Sequence, residues 1–357
     1  MKDRIYVCHT YYHVYVTFLK ELNLPKEKRG QATLVLSRMS NDFETFAGRA
    51  KASGLFEEVL EYDEKKATYF EALAPLKEDK GNIVFNMISR IRFCKEFAKL
   101  QAPFVPVDFK QYKEVYVYCD SDPIGYYLNY NKIYYHALED GLNCLAYYDT
   151  ARFDNRGAFK LKTFMSKYLN LIFIQNGYGR YCKDMEVNNI SMIKHPCPYY
   201  KEVPRQQYVD TLTDEDKQII LKAFVKDYDA LADALKQADA TGRRKVLVLT
   251  EPLCDLTTRE QIFRDIIERF GQDAGVVLKP HPRDELDYNA LFGQYFRIDR
   301  TVPMEMLNFI PGAYFDRLIS VFTETAAIQF ADEKIKLGPD FMDAYEAPHI
   351  HRQNEQI

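Results

Sequence analysis

Short runs of β-branched and aromatic residues alternate along this chain with stretches whose apolar positions recur at helical spacing. RIYVCHT (4–10) reads as a strand, and YYHVYVTFLKELNLP (11–25) as a helix that stops at a proline. ATLVLSRMS (32–40) predicts a second buried strand. NDFETFAGRAKASG (41–54) predicts a helix with Asn41 as its cap, and FEEVLEYDE (56–64) a third strand. EVYVYCDSD (114–122), the helical IGYYLNY (124–130) and KIYYHALEDG (132–141) continue the alternation. Strands alternating with helices imply parallel βαβ units.

The pattern blurs from 151 to 195, and three prolines then fall at 196, 198 and 204, a linker signal. Beyond it the alternation restarts. The spacing predicts one helix over TDEDKQIILKAFVKDYDALADAL (213–235) and a strand in RKVLVLTEP (244–252). TREQIFRDIIERFG (258–271) reads as a helix, AGVVLKPHP (274–282) as a strand, and DRLISVFTETAAIQFA (316–331) as a strand running into a helix. The expected fold is α/β, with two Rossmann-like doubly wound domains facing a cleft. Residues 1–200 form the first and 201–335 the second. A tail, 336–357, packs back on the first. In open α/β sheets ligands lie beyond the carboxyl ends of the strands, so the residues just after each strand are the ones to weigh.

Four strand ends carry candidate chemistry. In KPHPRD, His281 stands between Pro280 and Pro282, which fix the backbone on both sides. It is either a turn residue or a proton donor to a leaving group. In TEPLCDLT, Glu251 and Asp255 follow the preceding strand; Asp255 is either the cap of the next helix or a carboxylate that takes a proton from a hydroxyl. In VFTETAA, Thr323 and Thr325 are either caps or phosphate ligands at a helix start, with Glu324 an unwelcome charge between them. In LEDG, Glu139, Asp140 and Gly141 form either a turn or an acidic wall.

Composition narrows the picture. Of 357 residues, 28% are charged and the net charge is -4, which argues against wholesale nucleic-acid binding. The seven cysteines are scattered without a CxxC pair, the pattern of reduced, buried thiols. No segment reads as a secretion signal or a membrane span, so a cytoplasmic protein is expected. CDSDP (119–123) has a DxD form, set aside as a metal site because the two-domain organisation does not suit it. The basic segments 89–100 and 159–169 either lie on an anionic membrane surface or are packed helices with solvated lysines, the second being the plainer account.

Taken together, IYVCHTYYHVYV, LEDG, KPHPRD and VFTETAA resemble the motifs of bacterial sialyltransferases, and most of all glycosyltransferase family 52, the lipooligosaccharide sialyltransferase type. The resemblance implies a GT-B fold, CMP-sialic acid as donor, and inverting transfer with no metal or other cofactor. It implies His281 as the acid at the departing phosphate and Asp255 as the base, with Asp140 the rival base. Thr323 and Thr325 would hold the phosphate, Glu305 in VPMEML the ribose, and Lys279 and Pro282 would complete the donor motif. His9, Thr10, Glu139 and Gly141 would stand on the acceptor side. Glu324 occupies a position where the family tends to carry a small or hydroxyl residue. The implied partners are the nucleotide sugar and an oligosaccharide or glycolipid precursor; peripheral contact with the inner membrane face and a homodimer are left open. The competing readings are a GT-B enzyme with another nucleotide donor, among them a polyol-phosphate transferase, and a silent nucleotide-binding protein.

Overall fold

The computed structural model describes residues 1–43, 45–118, 120–141, 150–240, 242–310, 312–325 and 328–351. The chain divides into two compact units, Met1–Ile219 and Ile220–Ile357, and each is an α/β unit built on one parallel sheet.

The first sheet contains β1 (Lys2–Cys8), β2 (Ala32–Ser37), β3 (Phe56–Tyr62), β4 (Tyr112–Tyr118), β5 (Tyr135–Leu138), β6 (Cys182–Val187) and β7 (Tyr200–Glu202). Their order is β3-β2-β1-β4-β5-β6-β7, so the winding reverses between β1 and β4. β1 forms because Ile5, Tyr6, Val7 and Cys8 are all buried, as expected of a central strand covered on both faces. The helix Tyr11–Leu22 follows at once: the Thr10 hydroxyl caps it by accepting from the His13 amide, and Val14 and Phe18 are wholly buried. Each such side chain contributes about 1.5–3 kcal/mol. After β4 the chain turns into the helix Pro123–Tyr130. A side chain at Gly125 would meet the Asp120 carbonyl oxygen at 1.8 Å, so only glycine lets this helix start rest on the β4 turn.

Several expectations change here. Asn41 is not a helix cap; the helix starts at Phe46, and the Asn41 amide instead donates to the His9 carbonyl at 2.7 Å. The proline-rich stretch 196–204 flanks β7 instead of linking domains, and the units divide at 219/220, past the expected 200/201 boundary. Prolines are tolerated there because β7 is the sheet's edge.

The second sheet contains β8 (Arg244–Leu249), β9 (Ala274–Lys279), β10 (Phe296–Arg297), β11 (Phe315–Ser320) and β12 (Ala331–Lys336) in the order β10-β9-β8-β11-β12, and reverses between β8 and β11. The single helix expected over 213–235 is two, Asp214–Phe224 and Tyr228–Ala240, because the Asp227 carboxylate accepts from the Ala230 amide and opens a new helix. No helix follows β11 among the described residues; the next element is β12, while Ala326 and Ala327 lie outside them. The tail expected to return to the first domain buries Met342 in the second unit's own core, and the Tyr345 hydroxyl donates to Asp265 at 2.7 Å; residues 352–357 lie outside the described ones. Cys8, Cys94, Cys182 and Cys197 are buried and Cys254 partly so; Cys119 and Cys144 lie outside the described residues. No described helix is long and apolar enough to cross a membrane.

Candidate active site

In the second unit the ends of β8 and β9 are tied into one network. The His281 amide donates to the Thr250 hydroxyl at 3.1 Å, and the Asp284 amide to the His281 carbonyl at 2.9 Å. Arg259, from the helix Leu256–Phe270, pairs with the buried Asp284 carboxylate at 2.6 Å and donates to the carbonyls of Leu253 and Cys254 at 2.6 and 2.8 Å. The turn that carries Asp255 and the turn that carries His281 are therefore joined by a buried charge-assisted pair, the stronger kind of hydrogen bond.

His281 itself has a defined tautomer. The Arg283 amide donates to Nδ1 at 3.1 Å, so Nδ1 carries the lone pair and the ring proton sits on Nε2, which has no partner among the described residues. Burial, with Arg283 and Lys279 nearby, pushes the ring below its usual pKa. The imidazole is thus neutral at physiological pH, with one N–H to donate. Pro282 is exposed on the same turn.

Asp255 caps the helix Leu256–Phe270. Its Oδ1 accepts from the amides of Thr257 and Thr258, and its Oδ2 from the Thr258 hydroxyl at 2.6 Å. These bonds, that from the Thr258 hydroxyl first, hold its pKa below the ordinary aspartate value. A carboxylate has about four lone-pair sites, and three are filled here, leaving one on Oδ2 for an incoming hydroxyl. Asp255 is therefore a helix cap that retains one acceptor site.

Other donor-side candidates are placed differently from expectation. Lys279 is buried, and its Nζ donates to the carbonyls of Pro280 and Arg300, both at 3.1 Å; burial draws its pKa down to about 8 against the pull of Asp299 and Glu305. Its ammonium is spent on fixing the turns at the ends of β9 and β10. Glu305 is partly buried, and burial raises its pKa. Thr323 and Thr325 do not open a helix. The buried Glu251 carboxylate instead takes the amides of Val321, Phe322 and Thr323, at 2.9–3.0 Å, and so occupies the cradle a phosphate was expected to fill. The Thr325 amide binds Glu324. Beside Pro280 lies a cavity of about 550 Å³ lined by Tyr288, Arg297, Asp299 and Arg300, among others.

Glu251→Ala would strip that cradle of its acceptor and leave three amides unpaired beside buried strand ends. The expected cost is on the order of 3 kcal/mol, read as a lower midpoint in chemical denaturation.

In the first unit, the ends of β1, β3, β4 and β5 gather a second cluster. His9 Nε2 meets Glu64 at 2.6 Å and Asp122 at 3.5 Å, all behind Ser37, whose hydroxyl also donates to Glu64 at 2.7 Å. Burial alone would lower the His9 pKa, but the Glu64 carboxylate outweighs it and raises the ring to about 9. Burial, partly offset by His9, raises Asp122 to about 6. One turn along the helix, His13 stacks on Tyr118 with centroids 4.4 Å apart. The His9 amide donates to His13 Nδ1 at 3.1 Å, so the proton sits on Nε2, which bonds Asp140. Burial keeps His13 below its usual pKa despite that aspartate. Asp140 is exposed and held in place; Glu139 beside it is buried, with Oε2 accepting from the Asn188 amide at 2.9 Å. Gly141 has φ +143°, a conformation that strains any other residue. Asp120 of CDSDP is bound inside the fold, accepting from the Asn176 amide and the Tyr135 hydroxyl.

The His9 pair has a pH signature. Its folded pKa lies above the unfolded value near 6.5, so its contribution is complete below that pH and is lost as pH rises through about 9. His9→Gln should therefore flatten the fall in thermal stability between these limits, an effect on the order of 3 kcal/mol. A wild-type slope that the variant retains would assign the effect elsewhere.

Of the sequence candidates, Asp255 and His281 share one network, as do His9, Thr10 and Asp140 with their helix. Arg259, Asp284, Glu64 and His13 were not anticipated. Glu64 stands two residues past β3, and His13 four past His9, so the strand-end rule and helical spacing would have found both.

A model of glycosyltransferase family 52 matches residues 59–338, more than three quarters of the chain. An uncharacterized protein of Haemophilus influenzae is 34% identical over 94 residues, which are 25% of this chain; the chain thus spans only 30% of that relative's length. Among solved structures, the α/β-galactoside α-2,3-sialyltransferase of Photobacterium phosphoreum aligns over 94% of this chain and 90% of its own, at 13% identity and TM-score 0.54. The GT-B domain of a sialyltransferase from Photobacterium damselae aligns over 90% and 86%, at 12% identity and TM-score 0.49. The family model runs from within β3 of the first sheet to just past β12 of the second, and the chain, with its GT-B fold of two Rossmann-like units, belongs to glycosyltransferase family 52.

Proposed function

We propose that this glycosyltransferase moves sialic acid from CMP-sialic acid to a hydroxyl of a cell-surface glycan precursor, with inversion and without an obligatory metal, on the cytoplasmic side of the membrane. The observation that carries the mechanism is the Arg259–Asp284–Thr250 network, which holds the Asp255 and His281 turns together. The donor arrives with a phosphate leaving group, and its transition state is oxocarbenium-like. The enzyme must therefore bind the nucleotide, stabilise the departing charge and take one proton.

His281 meets the second need through its Nε2–H. A neutral imidazole with a single N–H is suited to hydrogen-bond the leaving phosphate as charge builds there. Asp255, kept ionised by its cap bonds, receives the acceptor proton on the remaining Oδ2 site. The cavity beside Pro280 has a volume suited to a nucleoside, and Glu305, close enough to Lys279 to feel its charge, is assigned to the ribose hydroxyls. The hydroxyls of Thr323 and Thr325 are left to contact phosphate, since Glu251 already holds the loop's amides. On the acceptor side His13 holds Asp140 out to solvent, and this supports a second reading in which Asp140 is the base.

Release of CMP from CMP-sialic acid in the presence of simple galactosides tests the reaction. Turnover that persists in EDTA is expected. No release with this donor, but turnover of a UDP- or CDP-linked one, would transfer the reading to another nucleotide sugar; nucleotide binding without any turnover would make the chain a silent relative.

A further inference from the structure

An anion-binding nest in the second unit is filled by the protein's own side chain. The second sheet reverses between β8 and β11, and a ligand of an open α/β sheet lies beyond the strand ends at such a reversal. Val321, Phe322 and Thr323 follow β11 directly, and their successive amides converge on one point, the concave arrangement that suits a phosphate. Glu251, just past the end of β8 and 6% exposed, occupies that point. Its Oε1 accepts from all three amides, at 2.9, 3.0 and 3.0 Å, and its Oε2 from Phe322 again at 3.0 Å.

Both oxygens act as acceptors, as those of an ionised carboxylate do. Their partners are backbone amides, and among the described residues no lysine or arginine pairs with Glu251. A full negative charge therefore stands at the reversal without a counter-cation. It lies one residue from Thr250, whose hydroxyl accepts from the His281 amide at 3.1 Å, so nest and imidazole turn sit on adjoining strand ends. The course of the loop is fixed as well, with the Ser320 hydroxyl donating to the Thr323 carbonyl at 3.0 Å. Charge-assisted bonds from Glu251 secure this loop, and the same charge meets whatever phosphate arrives there.

We propose that Glu251 determines the donor class: it admits a sugar linked through one phosphate and excludes sugars linked through two. The inference rests on the donor reading above, and it assigns the selection within that site to one side chain. A monophosphate diester carries a single negative charge, which the hydroxyls of Thr323 and Thr325 and the Nε2–H of His281 can meet without help from the amides. A diphosphate brings a second charge and a second group to seat, and the cradle that would seat it is both closed and negative. Selection of this kind works by repelling the wrong ligand, not by adding contacts to the right one.

Equilibrium titration of the full chain with CMP and CDP, and with UMP and UDP, tests it. The wild-type chain is expected to bind the monophosphate of its preferred base at least about tenfold more tightly than the diphosphate. Glu251→Gln removes the charge while its side-chain oxygen can keep the three amides that Oε1 holds, so the loop stays in place. It should narrow the gap to about threefold or less by tightening the diphosphate, with the monophosphate little changed. A residue that only held the loop would, once changed, weaken both ligands alike. Rising salt should also narrow the gap in the wild-type chain, because repulsion between charges is screened. That measurement needs no variant, so it decides the matter even if Glu251→Gln melts early. Equal affinity for mono- and diphosphate, a gap indifferent to salt, or a gap left at full width by a folded Glu251→Gln overturns the proposal. The donor reading fails separately: the gap seen with the uridine pair alone would sink that reading and keep the role of Glu251, and cytidine binding without a gap would do the reverse. Binding of none of the four would overturn both.

Discussion

Replacing His281 with alanine is expected to lower kcat by roughly a hundred- to a thousand-fold while changing CMP affinity by no more than about threefold. The asymmetry follows from where the ring acts. Its Nδ1 is occupied by the Arg283 amide, so a single Nε2–H remains to meet the leaving group. A donor of that kind gains most when the bond to phosphate is breaking and charge accumulates on the departing oxygen; in the ground state the same contact is worth little. The turn should survive the substitution, because the His281 backbone is held by Thr250 and Asp284 and framed by Pro280 and Pro282, none of which uses the ring. Turnover and equilibrium CMP binding measured on the same preparation decide the matter. An unchanged kcat would remove His281 from the chemistry, and an equal loss in both quantities would make it a binding residue only. Protonation adds a second check. Burial, with the neighbouring cations, holds the ring below its ordinary pKa, so activity should not fall as pH drops from 8 toward the histidine's ordinary value near 6.5.

The two α/β repeats could be read from residues because a strand covered on both faces must be apolar along its length. β1, β2, β8 and β9 all show such runs, and helices with a cap or a stop follow them. The short, polar strands could not be read that way. β6 is CKDMEV and β7 is YKE beside prolines; both depend on pairing with β5 and β6, which leaves no local pattern. The helix expected after β11 illustrates the same limit. VFTETAAIQF has helical composition, but Glu251, seventy residues earlier, captures the amides of 321–323 and holds the backbone in another course.

The site follows the same division. Single residues at strand ends, such as His281 and Asp255, were legible because topology alone fixes where strand ends lie. Their partners were not. Arg259 finds Asp284, and His9 finds Glu64, only once helices and strands have packed, and nothing in HPRD or CHTYYH specifies those pairs. The partners matter to the chemistry nonetheless: the Arg259–Asp284 pair holds the His281 turn in place, and the Glu64 carboxylate reverses the downward pull of burial on His9.

Which carboxylate takes the acceptor proton is decided by comparing Asp255→Asn with Asp140→Asn. Asparagine is about as good a helix cap as aspartate, so Asp255→Asn keeps the helix Leu256–Phe270 in place and removes only the basic oxygen. It is expected to lower kcat by roughly a hundredfold or more, with CMP affinity intact. Asparagine at 140 can still accept the His13 Nε2–H, so that substitution also preserves its surroundings. Its expected effect is smaller, at most about tenfold, and lies mainly in the KM for acceptor. The reverse ranking would make Asp140 the base and reduce Asp255 to its cap. The pH profile separates the two further. The Thr258 hydroxyl and the helix-start amides hold Asp255 below the ordinary aspartate pKa, so with Asp255 as base the acid limb of kcat/KM should fall only below about 4. The Asp255→Asn variant should lose that limb together with its turnover, whereas a limb that survives in it must belong to another carboxylate.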